Sequence, residues 1–307
     1  MPRFSVILPC FNAADTILET LNSLREQSFE NWELICIDDG SSDNTRALIR
    51  GLAVQDRRIS LIRNPGKGPS EARNHGALIA SSGELIAFCD ADDLWHKDKL
   101  SSLNRCFDDC WVDGAYGRIA FFSEAPQAAQ VVSTVPPGDL SIPVLLGENP
   151  VCTLSNLTLR RRVFEAASGF DPQISHNEDL EFLIRVIGRG ARIVGINKTQ
   201  VYYRASPGGL SADLPAMRRG RRAAMATAAR FGFLPDARNE AVHLRYLARR
   251  ALRLGTGGGA ALRFTLEGLC QSPAGFLHPW RRGGATVIAA FCAPLMPRVL
   301  RRHLFST

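Results

Sequence analysis

Asp90-Ala91-Asp92-Asp93 follows directly on the apolar run Glu84-Leu85-Ile86-Ala87-Phe88-Cys89. Strand-like hydrophobicity ending in three carboxylates within four positions predicts a buried strand that delivers anionic oxygens to its open end. Carboxylates crowded in this way repel one another unless a positive group stands between them. Two readings are open. One is a solvated acidic turn; the other is a site for a hard divalent cation, Mg²⁺ or Mn²⁺, which takes oxygen ligands and bridges carboxylates to substrate phosphates.

Other chemistry-bearing residues fall at comparable places. Asp38-Asp39-Gly40-Ser41-Ser42-Asp43 ends a second apolar run, Trp32 to Ile37. Gly66-Lys67-Gly68 is neither a P-loop nor a dinucleotide fingerprint, but Arg73 and Asn74 lie one helical turn beyond it, and a guanidinium suits a phosphate or a base edge. Glu178-Asp179 precede Leu180, Leu183, Ile184 and Ile187, the apolar face of a helix. Asn177 is expected to cap that helix and the two acids to sit in its first turn, where the dipole favours anions.

The elements that must position these groups alternate. Strands are expected at Phe4 to Pro9, Trp32 to Ile37, Ile59 to Ile62 and the run before Asp90. Helices are expected from Asp15 as a cap, from Asn44 to Ala53, from Ser70 to Ala80 and from Lys97 to Cys110. This is the pattern of βα units in a mostly parallel, Rossmann-like sheet flanked by helices, an α/β fold. Ligands in such sheets bind beyond the carboxyl ends of the strands, so Pro9 to Asn12, Asp38 to Ser42, Gly66 to Gly68 and Asp90 to Asp93 should share one rim. After Trp95 the pattern changes. A strand at Gly114 to Phe122, a flexible excursion at Glu124 to Gly138, a strand at Asn156 to Arg160, a helix at Arg162 to Ser168, and two closing strands at Arg192 to Ile196 and Gln200 to Arg204 are expected.

At 307 residues, 45% hydrophobic and 22% charged, the chain has the material for one large or two modest cores and is not a disordered polymer. Met1-Pro2-Arg3 runs straight into strand-like sequence without a signal peptide, which predicts a cytoplasmic protein. Of the eight cysteines, Cys10, Cys36 and Cys89 sit in or beside apolar strand runs, and no histidine or further cysteine is spaced to complete a zinc site with Cys106 and Cys110, so all eight are expected to be reduced and structural. Charge is uneven. Residues 205–307 hold 16 Arg, no Lys and four acidic residues, a net of +12 against +7 for the whole chain, so residues 1–204 carry −5. The division expected is a catalytic region at 1–210, with a nucleotide-binding half at 1–96 and an acceptor half at 97–210, and a basic helical extension at 211–307.

A nucleoside diphosphate bound through a metal at Asp90 and Asp92 is a stabilised leaving group. An acceptor hydroxyl needs a carboxylate base, for which Asp179 is the candidate. Together they describe in-line displacement at a sugar anomeric carbon, with inversion. Here the sequence resembles the family 2 glycosyltransferases of GT-A fold, over about Arg3 to Arg204. The resemblance rests on Val6-Ile7-Leu8-Pro9-Cys10-Phe11-Asn12, Ile37 to Asp43, Ala72-Arg73-Asn74-His75-Gly76, Asp90 to Asp93 and Glu178-Asp179, in that order. It implies that Pro9, Phe11, Asn12, Asp38, Asp39, Arg73, Asp90 and Ala91 bind a nucleotide sugar, most often a UDP-sugar. It further implies that Asp92 and Asp90 hold Mn²⁺ or Mg²⁺ and that Asp179, beside Glu178, is the catalytic base. Ser206 stands where many relatives carry a histidine, and the Gln-x-x-Arg-Trp motif of processive synthases is absent, so single-sugar transfer is expected in exopolysaccharide, lipopolysaccharide or other surface-glycan synthesis.

The Arg-rich tail has three readings: a solvated helical subdomain, a nucleic-acid patch, or attachment to an anionic membrane surface. No nucleic-acid motif supports the second. Clustered Arg beside apolar faces favours the third, on the inner face of the cell membrane, with a glycan or lipid-linked acceptor as partner. The apolar run Ala285 to Leu295 is too short to span a bilayer. A metal-dependent nucleotidyltransferase and a non-catalytic nucleotide-sugar sensor are the alternative functions.

Overall fold

The computed structural model describes residues 1–122, 125–129, 131–204, 213–254 and 258–296. The chain forms two compact units, Met1–Leu140 with Pro150–Arg204, and Ser141–Asn149 with the residues after Arg204.

The first unit is built on one sheet. Strands β1 (Phe4–Cys10), β2 (Trp32–Asp38), β3 (Ile59–Arg63) and β4 (Leu85–Phe88) are mutually parallel in the order β3-β2-β1-β4. The sheet continues through β8 (Thr158–Arg160), β6 (Gly114–Phe122), β9 (Ile193–Arg204) and β5 (Leu94–Trp95), with β7 (Val131–Val132) pairing β6. β8 runs antiparallel to both β4 and β6. Phe4, Val6, Leu8 and Cys10 point to one core cluster, and Ile7, Ile35, Ile37, Ile86 and Phe88 are equally buried. Burial on both faces explains why these strands read as continuous apolar runs.

Helices α1 (Ile17–Arg25), α2 (Thr45–Gln55) and α3 (Pro69–His75) cross between the parallel strands, and α4 (Lys99–Cys106) follows β5. α3 continues as a π-helical turn at Gly76–Ala80. A Cβ on Gly76 would meet Ile7 and Ile37 at 2.7 Å, so α3 lies against the sheet only because that residue has no side chain. α6 (Arg161–Ala166) and α7 (Glu178–Gly188) are anchored by a ring cluster: Phe88, Phe164, Phe170 and Phe182, with centroids 4.6 to 5.5 Å apart. That cluster fixes where α7 begins.

Several local expectations are corrected. Asp15 does not cap α1; Thr16 holds the cap position and spends its hydroxyl on the Ala91 carbonyl at 2.9 Å. Asn177 stands at the cap of α7 in the left-handed region (φ 57°) without a side-chain capping bond. α4 ends at Cys106 instead of Cys110, because Asp109 takes the Trp111 N–H at 2.9 Å and turns the chain. The two closing strands are one strand, β9, in which the polar Asn197-Lys198 pair is accommodated by register shifts against Gly117 and Arg118. Ser206 and part of the Glu124–Gly138 excursion lie outside the described residues.

The second unit contains α5 (Ile142–Gly147), α8 (Leu214–Arg230), α9 (Ala237–Leu254), α10 (Gly258–Gln271), α11 (Pro273–Leu277) and α12 (Trp280–Cys292). Its core includes Leu244, Leu247, Phe264 and Phe276. Among its described residues two arginines are buried. Arg221 bonds Glu240 and the Leu146 carbonyl, each at 2.7 Å, and Arg245 donates to the carbonyls of Gly275, Phe276 and His278. No helix among the described residues is long and apolar enough to cross a membrane.

Candidate active site

Parallel register brings the carboxyl ends of β1, β2 and β4 to one edge, because Cys10 pairs with Asp38 and Ile7 with Phe88. Asn12, in the left-handed region (φ 47°), donates its N–H to Ser41 Oγ at 3.0 Å and accepts from Ser42 N at 2.9 Å. The β1 and β2 loops are therefore stitched together. Asp38 is 2% exposed and accepts from Gly40 N and Ser41 N at 3.2 Å each, so it builds its own loop. Asp39 receives Asn64 Nδ2 at 2.7 Å, Gly68 N at 3.0 Å and Lys67 Nζ at 3.4 Å, which ties the glycine loop to the same edge. Phe11 is 55% exposed with the Lys67 ammonium 4.8 Å from its ring centroid, a bare aromatic face in an otherwise polar rim.

Arg73 is the link across this edge. It is 6% exposed, and its guanidinium donates from Nη2 to Asp90 at 2.7 Å and from Nη1 to Glu178 at 3.2 Å. Desolvation opposes its charge, but Asp90 and Glu178 raise its pKa above the usual value. Two acidic stretches separated by some ninety residues thus share one cation. Asn74 completes the clasp: its amide donates to the Phe170 carbonyl and accepts the Phe170 N–H, both at 2.8 Å. A Cβ on Gly169 (φ 70°) would fall 2.2 Å from Asn74 Oδ1, so only glycine permits the approach.

The acidic turn is tightly held. Asp90 accepts from Thr153 Oγ1 at 3.0 Å as well as from Arg73, and its N–H donates to Ser155 Oγ at 2.9 Å. Asp93 is fully buried and accepts from Arg204 N at 3.2 Å and Thr153 Oγ1 at 3.4 Å. Arg204 also bonds the Asp92 carbonyl at 3.0 Å and pairs with Glu19. Beneath them Lys99, 1% exposed, donates to the Ser155 carbonyl with its Nζ 4.0 Å from the Trp95 ring centroid. Burial pulls its pKa down to about 7.

Asp92 is different. It is half-buried, and no side chain among the described residues donates to its carboxylate; desolvation and the Asp90 charge push its pKa up to about 6. Asp93 is raised further, by burial and by both neighbours. An under-compensated carboxylate beside Asp90, with oxygen-only donors, fits a hard divalent cation. Among the described residues no three His, Cys, Asp or Glu side chains form a preformed cage. Asp179, half-buried at the start of α7, is raised to about 7 by desolvation and by Glu178, with Arg73 acting in the opposite sense.

The sequence singled out Asp90, Asp92, Asp93, Arg73, Glu178 and Asp179, and the fold gathers them. It gave no sign of Thr153, Ser155 or Lys99. Thr153 and Ser155 lie in a polar stretch without a motif, and Lys99 reads as a surface helix residue.

A family model described as glycosyl transferase family 2 matches residues 5–167, more than half of the chain. The chain belongs to this family. It is 46% identical over 97 residues, 31% of its own length and 37% of the relative's, to the Escherichia coli UDP-Glc:alpha-D-GlcNAc-diphosphoundecaprenol beta-1,3-glucosyltransferase WfgD. Over 100 residues, 32% of its length and 39% of the relative's, it is 42% identical to the putative teichuronic acid biosynthesis glycosyltransferase TuaG of Bacillus subtilis. The aligned regions thus span under two-fifths of these family members. In structure it resembles S. aureus TarS in complex with UDP, with a TM-score of 0.62 and 19% identity over 99% of this chain and 91% of that one. It also resembles the mannosyltransferase PcManGT of Pyrobaculum calidifontis in complex with GDP-Man and Mn²⁺, with a TM-score of 0.60 and 19% identity over 96% and 87%. The fold is GT-A.

Proposed function

We propose that this family 2 chain is an inverting glycosyltransferase that moves one sugar from a UDP-sugar to an acceptor hydroxyl in bacterial surface-glycan synthesis. The observation that carries this reading is the Arg73 guanidinium bonded at once to Asp90 and Glu178, which joins the acidic turn after β4 to the start of α7, where the next residue, Asp179, has its pKa raised to about 7. Pro9, Phe11, Asn12, Asp38, Asp39 and Ala91 line the nucleotide side, where the exposed Phe11 ring offers a stacking face for the base. Asp92 and Asp90 hold Mn²⁺ or Mg²⁺, which when bound neutralises charge on the departing diphosphate. Asp179 takes the proton of the acceptor hydroxyl as the new glycosidic bond forms. A pKa near 7 suits this role, since a base works best when its pKa lies near the operating pH. Rate should therefore rise with pH through about 7. The names of WfgD and TuaG support a lipid-linked or polymeric surface-glycan acceptor.

Attachment to an anionic membrane surface on the cytoplasmic side belongs to the same proposal. Trp280, Ile288 and Phe291 of α12, and Leu295 just beyond it, are exposed at spacings that share a helical face, in a region of net charge +12. Flotation with phosphatidylglycerol vesicles tests this: W280S/F291S should stay at the bottom of the gradient where the unaltered chain floats.

The central test separates the two carboxylates. Asp92→Asn should lose Mn²⁺-dependent UDP binding and transfer, whereas Asp179→Asn should bind UDP normally and lose transfer. Full transfer by Asp179→Asn would overturn the assignment. Release of pyrophosphate from a nucleoside triphosphate would replace it with nucleotidyl transfer, and absence of turnover with every UDP-sugar and acceptor tried would favour a sensor.

A further inference from the structure

Within the helical unit, α8, α9 and α10 enclose an open cavity of about 1310 Å³. Among the described residues five arginines and two glutamates line it. Arg221 is committed to Glu240 and the Leu146 carbonyl. Arg218 and Arg263 both lean on the single Glu267 carboxylate, at 3.9 and 3.7 Å, and both lie over the Phe264 ring. Arg219 and Arg222 have no ion pair or hydrogen bond among the described residues. Positive charge therefore exceeds negative by three on the wall of one cavity. Such an excess leaves the wall electropositive and attracts anions to it.

The same cavity is lined by His243, 9% exposed, whose ring stacks on Tyr246. Its Nε2 is buried without a hydrogen-bond partner. Burial, with Arg221 and Arg218 nearby, holds the ring neutral well below the ordinary histidine range. A buried polar atom left unpaired costs folding energy, and a water, an ion or a ligand polar group that reaches it recovers that cost. Leu214, Met225 and Leu266 supply apolar wall beside these polar groups. The space exceeds what a phosphate group needs and lies above the common range of small-molecule sites.

We propose that this cavity binds a phosphate-bearing ligand, with Arg219 and Arg222 gripping the phosphate, His243 Nε2 completing its hydrogen bonds and the apolar wall receiving the body attached to it. Guanidinium forks match phosphate oxygens two at a time, and three unmatched positive charges suit a phosphate monoester or a diphosphate. Sugar transfer at Asp179 is not a premise of this proposal.

The test uses the whole chain in EDTA, which keeps metal-dependent nucleotide binding at Asp92 out of the measurement. Calorimetric titrations are run with inorganic pyrophosphate and, separately, with decyl phosphate below its micellar concentration. Arg219 and Arg222 are both exposed, so R219Q/R222Q should fold, which a melting curve verifies. R281Q removes an exposed arginine of α12 that does not line the cavity. Saturable binding of at least one probe is expected, about tenfold or more weaker in R219Q/R222Q and unchanged in R281Q. Decyl phosphate binding alone identifies a phosphate on an apolar chain, and binding of both identifies phosphate itself as sufficient. Equal affinity in R219Q/R222Q and the unaltered chain, equal weakening in R281Q, or no saturable binding of either probe overturns the proposal.

Discussion

Replacing Asp179 by Asn should stabilise the first unit while removing transfer. The carboxyl is raised from 3.8 to about 7, chiefly by desolvation and then by Glu178. The folded state therefore holds this proton more tightly than the unfolded chain does. The stability so contributed is complete below pH 3.8 and is lost as pH rises through about 7. At 1.36 kcal/mol per pKa unit, the shift bounds the cost of the ionised group at about 4 kcal/mol. Asp179 keeps some contact with water, and the strain is shared with Glu178, so about 1–2 kcal/mol is expected. Asn is isosteric and uncharged. Asp179→Asn should therefore be more stable than the unaltered chain by about 1–2 kcal/mol at pH 8, with the gap closing towards pH 4. Urea unfolding in EDTA at pH 4, 6 and 8, followed by the fluorescence of the buried Trp32 and Trp95, measures it. A variant that is less stable at pH 8, or a gap independent of pH, would refute the electrostatic account of Asp179.

Arg73→Gln leaves Asp90 and Glu178 without their shared cation and should cost about 3–5 kcal/mol at pH 7 by urea unfolding, a loss expected for one partner of a buried ion pair. Thr153→Val removes the hydroxyl that donates to Asp90 and Asp93 and accepts from Ser155 N; about 1–3 kcal/mol of stability should go, and UDP binding with Mn²⁺ should weaken in calorimetry. Gly76→Ala forces a methyl to 2.7 Å from Ile7 and Ile37, and thermal denaturation should report a loss of about 1–3 kcal/mol.

What the sequence determined alone were features that depend on neighbours along the chain. Continuous apolar runs ending in acids specified β1, β2 and β4 and the edge to which Asp38, Asp39, Asp90 and Asp92 belong, because parallel strands buried on both faces leave no other pattern. Composition likewise divided a mildly acidic front from an Arg-rich back. Local signals misled where a side chain had a better distant partner: Thr16, not Asp15, holds the cap of α1, and its hydroxyl bonds Ala91. Only tertiary structure could reveal that Arg73 joins Asp90 to Glu178, that Thr153, Ser155 and Lys99 support the acidic turn from a later segment, and that His243 lies unpaired among arginines. Asp179 shows the division most clearly. Its place at a helix start was legible in sequence, but its raised pKa depends on what is packed around it, and burial is a property of the folded chain.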